Sequence, residues 1–177
     1  SFFMRKFFFL CFFLLTTGLV LNAQTNFKKN ALTAAIVVRD EAKALNFYRD
    51  ILGMQEAGGF VIDSVFAKNL GLSKGKSFKV ALLSFLDTPE SSQLKIVSFT
   101  EVLKQEAAAV YDAVQEQFGL QYLTLQVHSL DPIMARAKKE GVQPQAATPL
   151  KLDDHVYLVL LRDPDGTFVE VIGDYSG

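Results

Sequence analysis

One pattern occurs twice along this chain. Thr33-Ala34-Ala35-Ile36-Val37-Val38 is small and β-branched, the composition of a buried strand. Asp40 then caps a helix whose apolar positions are Ala42, Leu45, Tyr48, Ile51 and Leu52. Gly53 falls where a left-handed helix terminus is wanted. The theme returns at Tyr122 to Val127, again a strand. Asp131 follows as an N-cap with Pro132 in the first turn, Lys138 and Lys139 lie in the last turn, and Gly141 is the stop. With Val38 placed over Val127, strands, helices and glycine stops agree to within about two residues, inside ordinary boundary error. A chain built this way folds as two like halves.

Each half continues in strands. Phe60-Val61-Ile62 predicts a second strand, Val65 to Leu72 a short helical turn, and Phe78 to Phe85 and Gln93 to Phe99 two more strands. In the second half Val156 to Arg162 and Thr167 to Ile172 are strands joined by Asp163-Pro164-Asp165-Gly166. Proline at the second turn position and glycine at the fourth make this the most secure hairpin of the chain. Between the halves, Glu101 to Phe118 carries Leu103, Ala107, Val110, Tyr111, Val114 and Phe118 at helical spacing, before Gly119. The inferred unit is β-α-β-β-β, used twice: an α+β protein.

Upstream of the repeat, Arg5 and Lys6 precede an apolar run from Phe7 to Leu21, and Leu21-Asn22-Ala23 ends in a small residue. That pattern predicts a signal peptide over residues 1–23, cleaved near Ala23, because a spanning helix needs about 20 apolar residues. The uncleaved alternative is a membrane anchor. The lone cysteine, Cys11, lies in this leader, so the mature chain has no cysteine for a disulfide, a thiolate nucleophile or a metal. Cleavage leaves about 150 residues, a natural size for a single domain. The whole chain has 18 Lys+Arg against 19 Asp+Glu, and loss of Arg5 and Lys6 makes it mildly acidic. Neither nucleic acid nor anionic lipid has an electrostatic footprint here. Periplasmic or secreted localisation, with no membrane attachment after cleavage, is the expectation.

Val37-Val38-Arg39-Asp40 with Leu45-Asn46-Phe47-Tyr48-Arg49-Asp50-Ile51-Leu52-Gly53-Met54 resembles the opening of vicinal oxygen chelate proteins. Asp163-Pro164-Asp165-Gly166-Thr167-Phe168-Val169-Glu170 looks like their closing hairpin. That superfamily includes glyoxalase I, bleomycin-resistance proteins, methylmalonyl-CoA epimerase and extradiol dioxygenases. The resemblance implies a glyoxalase-like fold. Residues 24–31 would be a lead-in and 32–173 a single domain, its modules 32–99 and 121–173 joined by helix 101–118. It also implies a curved mixed sheet with a central cleft, and a homodimer.

In such proteins a divalent metal often sits on the cleft floor, held from the first and last strand of each module. The first-strand position, seven residues before the helix-opening aspartate, is Thr33 here, and its counterpart is Tyr122. Glu170 occupies the last-strand position of the second half; its first-half equivalent is Lys95. Glu170 is then the only matching ligand position. One carboxylate holds a divalent ion poorly and a neighbouring ammonium repels it, so no metal or other cofactor is expected. A divalent metal with unusual ligands is the alternative.

Glu170 and Lys95 are informative by themselves. Each interrupts an apolar strand, where an unpaired charge costs several kcal/mol unless it lies in a cleft or finds a partner. They are expected to pair across the cleft floor. Tyr122 has a phenol for hydrogen bonding, and Thr33 a hydroxyl. His155 shares an alternating face with Tyr157, Val159 and Leu161 and is a candidate cleft residue; His128 falls at a strand-to-helix junction. No Ser-His-Asp order, Gly-rich phosphate loop or histidine pair at metal spacing supports a hydrolase or nucleotide binder.

The leading expectation is therefore an exported, bleomycin-resistance-like protein binding a small organic ligand through Thr33, Lys95, Tyr122, His155 and Glu170. Whether it is an enzyme stays open. One rival is a lyase, isomerase or dioxygenase with a glyoxalase-, epimerase- or dioxygenase-type activity, using Glu170 as the catalytic carboxylate. The other is a non-catalytic interaction module docking through helix 101–118.

Overall fold

Alternation along the strands sets the architecture. In the computed structural model, which describes residues 27–99, 113–116 and 118–177, β1 (Thr33–Val38) leads into α1 (Glu41–Leu45), which continues as a π-helical turn over Asn46–Ile51. β2 (Gln55–Ile62), α2 (Ser64–Asn69), β3 (Phe78–Ser84) and β4 (Gln93–Phe99) complete the first half. The second half holds β5 (Tyr122–Ser129), α3 (Asp131–Lys139), β6 (Leu150–Lys151), β7 (Val156–Arg162) and β8 (Phe168–Asp174). Two four-stranded sheets result, ordered β1-β4-β3-β2 and β5-β8-β7-β6. In each, the first strand runs parallel to the last and the other pairs are antiparallel. This is the α+β, twice-used β-α-β-β-β architecture that the repeat predicts.

One face of each sheet packs into a common core. Leu94 and Ile96 of β4 meet Val169 and Val171 of β8 in the same buried cluster as Phe47, Tyr48 and Ile51 of the π turn and Ile133 and Ala137 of α3. Each large side chain so buried contributes about 1.5–3 kcal/mol. The halves thus share one interior. The opposite face of each sheet, here called its open face, carries the remaining alternate residues.

Several local expectations are corrected. β1 is an edge strand whose exposure alternates, with Val37 57% exposed, so its second face is uncovered rather than buried. β2 begins at Gln55, earlier than its apolar run, because its backbone pairs with β3 whatever its side chains. β6 has two residues and no sequence signal. Asp40 caps α1 as expected, accepting from the Lys43 amide at 3.1 Å. Asp131 does not cap α3: Leu130 holds that position, and the Asp131 carboxylate instead accepts from the Ser176 amide and hydroxyl, tying down the C-terminus. Gly53 and Gly141 both have the positive φ expected of helix stops, +88° and +73°. The leader predicted over 1–23 and most of the helix predicted over 101–118 lie outside the described residues, apart from a single 3-10 turn at Val114–Glu116. No described helix is long and apolar enough to cross a membrane.

Candidate functional site

Register places the predicted site residues. Lys95 stands opposite Ala35 on β1 and Leu82 on β3; Glu170 stands opposite Thr124 on β5 and Leu160 on β7. The two charged residues therefore hold matching positions in the two sheets. Both are partly buried, and their strand neighbours Leu94, Ile96, Val169 and Val171 point the other way, into the core. Alternation puts Thr33 on the open face with Lys95, and Tyr122 on the open face with Glu170. Tyr122 is 48% exposed.

The expected Lys95–Glu170 ion pair does not form. The Glu170 Oε2 accepts a hydrogen bond from the Thr124 hydroxyl at 2.8 Å, a neighbour one strand away. The Lys95 ammonium lies 5.9 Å from the centre of the Phe60 ring, and no hydrogen bond or ion pair joins it to any described residue. Each charge has met its environment within its own sheet. His155 also departs from expectation. It is exposed just ahead of β7, and the residues sharing its alternation, Tyr157, Val159 and Leu161, pack into the core instead of the face that carries Glu170. Simple alternation grouped these residues correctly but could not say which face is the interior.

Thr124 and Phe60 were missed. Thr124 could have been found from the repeat, since it occupies the position of Ala35 beside a charged last-strand residue. Phe60 carried no signal, because its closeness to Lys95 spans β3 and arises only when the sheet is assembled. In the second sheet the Arg162 guanidinium stacks on the Phe168 ring, 4.0 Å from its centre, and Arg162 Nη1 donates to the Gly166 carbonyl at 3.4 Å.

Tyr48 and Asp163, from the two motifs that carry the resemblance, form a buried joint between the halves. The Tyr48 phenol donates to Asp163 Oδ2 at 2.8 Å, while Asp163 Oδ1 accepts from the amides of Asp165 and Thr167. Burial, with the Asp163 charge beside it, pushes the Tyr48 phenol well above the ordinary phenol range. Arg39 adds an outer tie, its amide donating to Asp165 Oδ2 at 3.2 Å and its Nε 3.5 Å from Asp165 Oδ1. Two hollows flank the joint and the β5 edge. One of about 550 Å³ is lined by Lys43, Phe47, Ile51, Val142, Arg162 and Asp163. Another of about 660 Å³ is lined by Met54, Phe85, Leu86, Ser92, Thr124 and Gln126, and reaches the threonine that holds Glu170.

The donors do not fit a divalent cation. Among the described residues no three histidine, cysteine, aspartate or glutamate side chains converge, and the positions where the resemblance implies metal ligands hold Thr33, Lys95 and Tyr122 beside Glu170.

Comparison with known proteins agrees with this architecture. A sequence model described as Glyoxalase/Bleomycin resistance protein/Dioxygenase superfamily matches residues 31–171. Among solved structures, a glyoxalase-family protein from Bacillus cereus is 16% identical with a TM-score of 0.65, covering 87% of this chain and 99% of its own. A glyoxalase/dioxygenase from Nostoc punctiforme is 21% identical with a TM-score of 0.55, covering 86% and 94%. A glyoxylase/bleomycin resistance protein/dioxygenase domain from Frankia sp. is 19% identical with a TM-score of 0.54, covering 85% and 95%. No curated protein matches significantly. With the matched model spanning both sheets and the solved structures sharing their fold, the chain belongs to the glyoxalase/bleomycin resistance/dioxygenase superfamily of vicinal oxygen chelate proteins.

Proposed function

We propose that this protein is an exported member of the superfamily that binds a small organic ligand against the open faces of its two sheets, without the usual divalent metal. One observation carries the reading. The positions that would ligate a metal hold a hydroxyl, an ammonium, a phenol and a single carboxylate, and that carboxylate is engaged by Thr124. Such a set offers hydrogen bonds and charge to an organic molecule but repels or under-coordinates a cation. Thr33, Lys95, Tyr122 and Glu170 are the groups offered; His155 is left out, since it lies off the strand. The leader, Arg5 and Lys6 followed by an apolar run ending near Ala23, supports export and cleavage.

The test is elemental analysis of purified residues 24–177 after exposure to Zn²⁺, Ni²⁺, Mn²⁺ and Fe²⁺. The expected result is metal far below one equivalent. Near-stoichiometric metal would overturn the reading and favour a lyase, isomerase or dioxygenase. Export is checked separately by fractionation and N-terminal sequencing, with a mature start at Gln24 expected.

A further inference from the structure

We propose that Lys95 is an anion-recognition point, and that the open face of the first sheet takes an apolar organic anion, with a carboxylate or sulfonate head on an aromatic or aliphatic body. The proposal rests on the ligand-binding reading above and names the chemical class of the ligand.

Three observations converge on it. First, Lys95 is partly buried, and its ammonium meets only the π face of Phe60 at 5.9 Å among the described residues. A cation so placed has lost part of its hydration without gaining a counter-charge. Second, the surface around it is apolar and already cemented. Phe78, Val80 and Val97 form a second buried cluster on this face with Ala67 of α2, and Leu82, directly opposite Lys95, packs against it. Phe60, in register with Val80, remains 43% exposed beside the ammonium. Third, no acidic side chain of the described strands competes. Among the described residues of β1, β2, β3 and β4, Lys95 is the only charged side chain that alternation puts on this face, since Lys79 falls on the other and Glu56, in register with the core residue Leu83, does so too, beside Arg49. Glu170, the natural rival, is held by Thr124 in the other sheet. An anionic head would supply the missing counter-charge, and an apolar body would cover Leu82 and the exposed ring of Phe60.

The test compares two fluorescent probes that differ by one sulfonate: 1-anilinonaphthalene-8-sulfonate and the neutral N-phenyl-1-naphthylamine. Titrated into the mature protein, the anionic probe is expected to bind about tenfold or more tightly. Lys95→Met should abolish that preference while leaving the neutral probe's affinity unchanged, and Lys95→Arg should retain it. Lys79→Met, a charge removed from the opposite face, should leave the preference intact. Equal binding of both probes, or a preference that survives Lys95→Met or disappears in Lys79→Met, would overturn the anion assignment while the ligand-binding reading stands. Failure of both probes to bind would overturn both, and a dimer in size-exclusion chromatography would then point to a second copy covering the face. If Lys95→Met fails to fold, Lys95→Gln, which keeps a polar head, must show the same loss.

Discussion

The two sheets have the same strand order and the same register at their centres, yet their open faces differ in character. In the first sheet that face holds a small second core beneath Phe60 and Leu82, and among the described strand residues it carries one cation and no carboxylate. In the second it presents Tyr122, Thr124 and Glu170, with a hydroxyl bonded to the carboxylate. On the shared side the halves carry the same chemistry. Leu94 and Ile96 answer to Val169 and Val171, all of them inaccessible to solvent. The faces that jointly bury apolar surface are constrained by packing, whereas an open face can change charge sign without disturbing the fold. Two like modules can differ at least cost where they meet solvent.

Leu94→Ala tests this most severely. It should cost about 2–5 kcal/mol, because a methylene-rich side chain at 1% exposure leaves a cavity. Val169→Ala, its counterpart, removes less volume and should cost less. Urea unfolding followed by circular dichroism should show a single transition in both, since the halves share one interior. Two separated transitions would mean that the halves are independent units.

The next largest effect sits where the halves' registers differ. Ser98, paired with Val38 in the first sheet, donates to Glu41 Oε2 at 2.6 Å; the corresponding residue of the second is Gly173. There the β5–β8 register shifts, and a Cβ on Gly173 would lie 2.6 Å from the Val127 carbonyl oxygen. Gly173→Ser, which copies the first half into the second, should destabilise by about 1–3 kcal/mol through backbone displacement. A neutral result in thermal melting would mean that the two registers are interchangeable.

Tyr48→Phe probes the joint between the halves. Loss of the phenol should cost about 1–3 kcal/mol, because a lone pair of the buried Asp163 carboxylate is left unpaired. It should also change the alkaline limb of the stability curve. The folded phenol titrates above its unfolded value near 10, so its contribution is complete below about pH 10 and is lost as pH rises past that point. Equilibrium unfolding at pH 8 and pH 11 should show a smaller alkaline loss in the variant than in the parent.

The smallest effect is expected at Asp131. The hydroxyl and amide of Ser176 hold its carboxyl below the usual carboxylate range, so the stabilisation is present above the unfolded value near 3.9 and fades as pH falls through the depressed one. Asp131→Asn should lower Tm slightly at pH 7 and narrow its gap to the parent at the acid end. An equal gap at both pH values would remove the ionic part of that tether.

Much of the fold was legible because it is written in local patterns. β4 and β7 run over the residues expected, the Asp163–Gly166 turn closes with the Gly166 amide donating to the Asp163 carbonyl at 3.1 Å, and Gly53 and Gly141 stop their helices. β6 was not legible, since a strand of two residues is defined by its partner rather than its own composition. At the site, the correspondence of Lys95 with Glu170 could be read from the repeat and agrees with the register. Their partners could not. Thr124 meets Glu170 and Phe60 meets Lys95 only through pairing across strands, and that Tyr157, Val159 and Leu161 face the interior could not be read because alternation carries no label for inside and outside.

The sequence by itself determined the two-fold repeat, its helix stops, its closing hairpin and the matching of Lys95 with Glu170. Those features depend on residue type and short-range spacing, which backbone geometry translates directly. Only the tertiary structure decided which sheet face became the common interior, that Tyr48 and Asp163 would meet between the halves, and that Lys95 and Glu170 would each be met within their own sheet. Those outcomes depend on contacts between residues far apart in the chain. Such contacts are selected by burial of the whole apolar surface at once, and no local stretch of sequence encodes that choice.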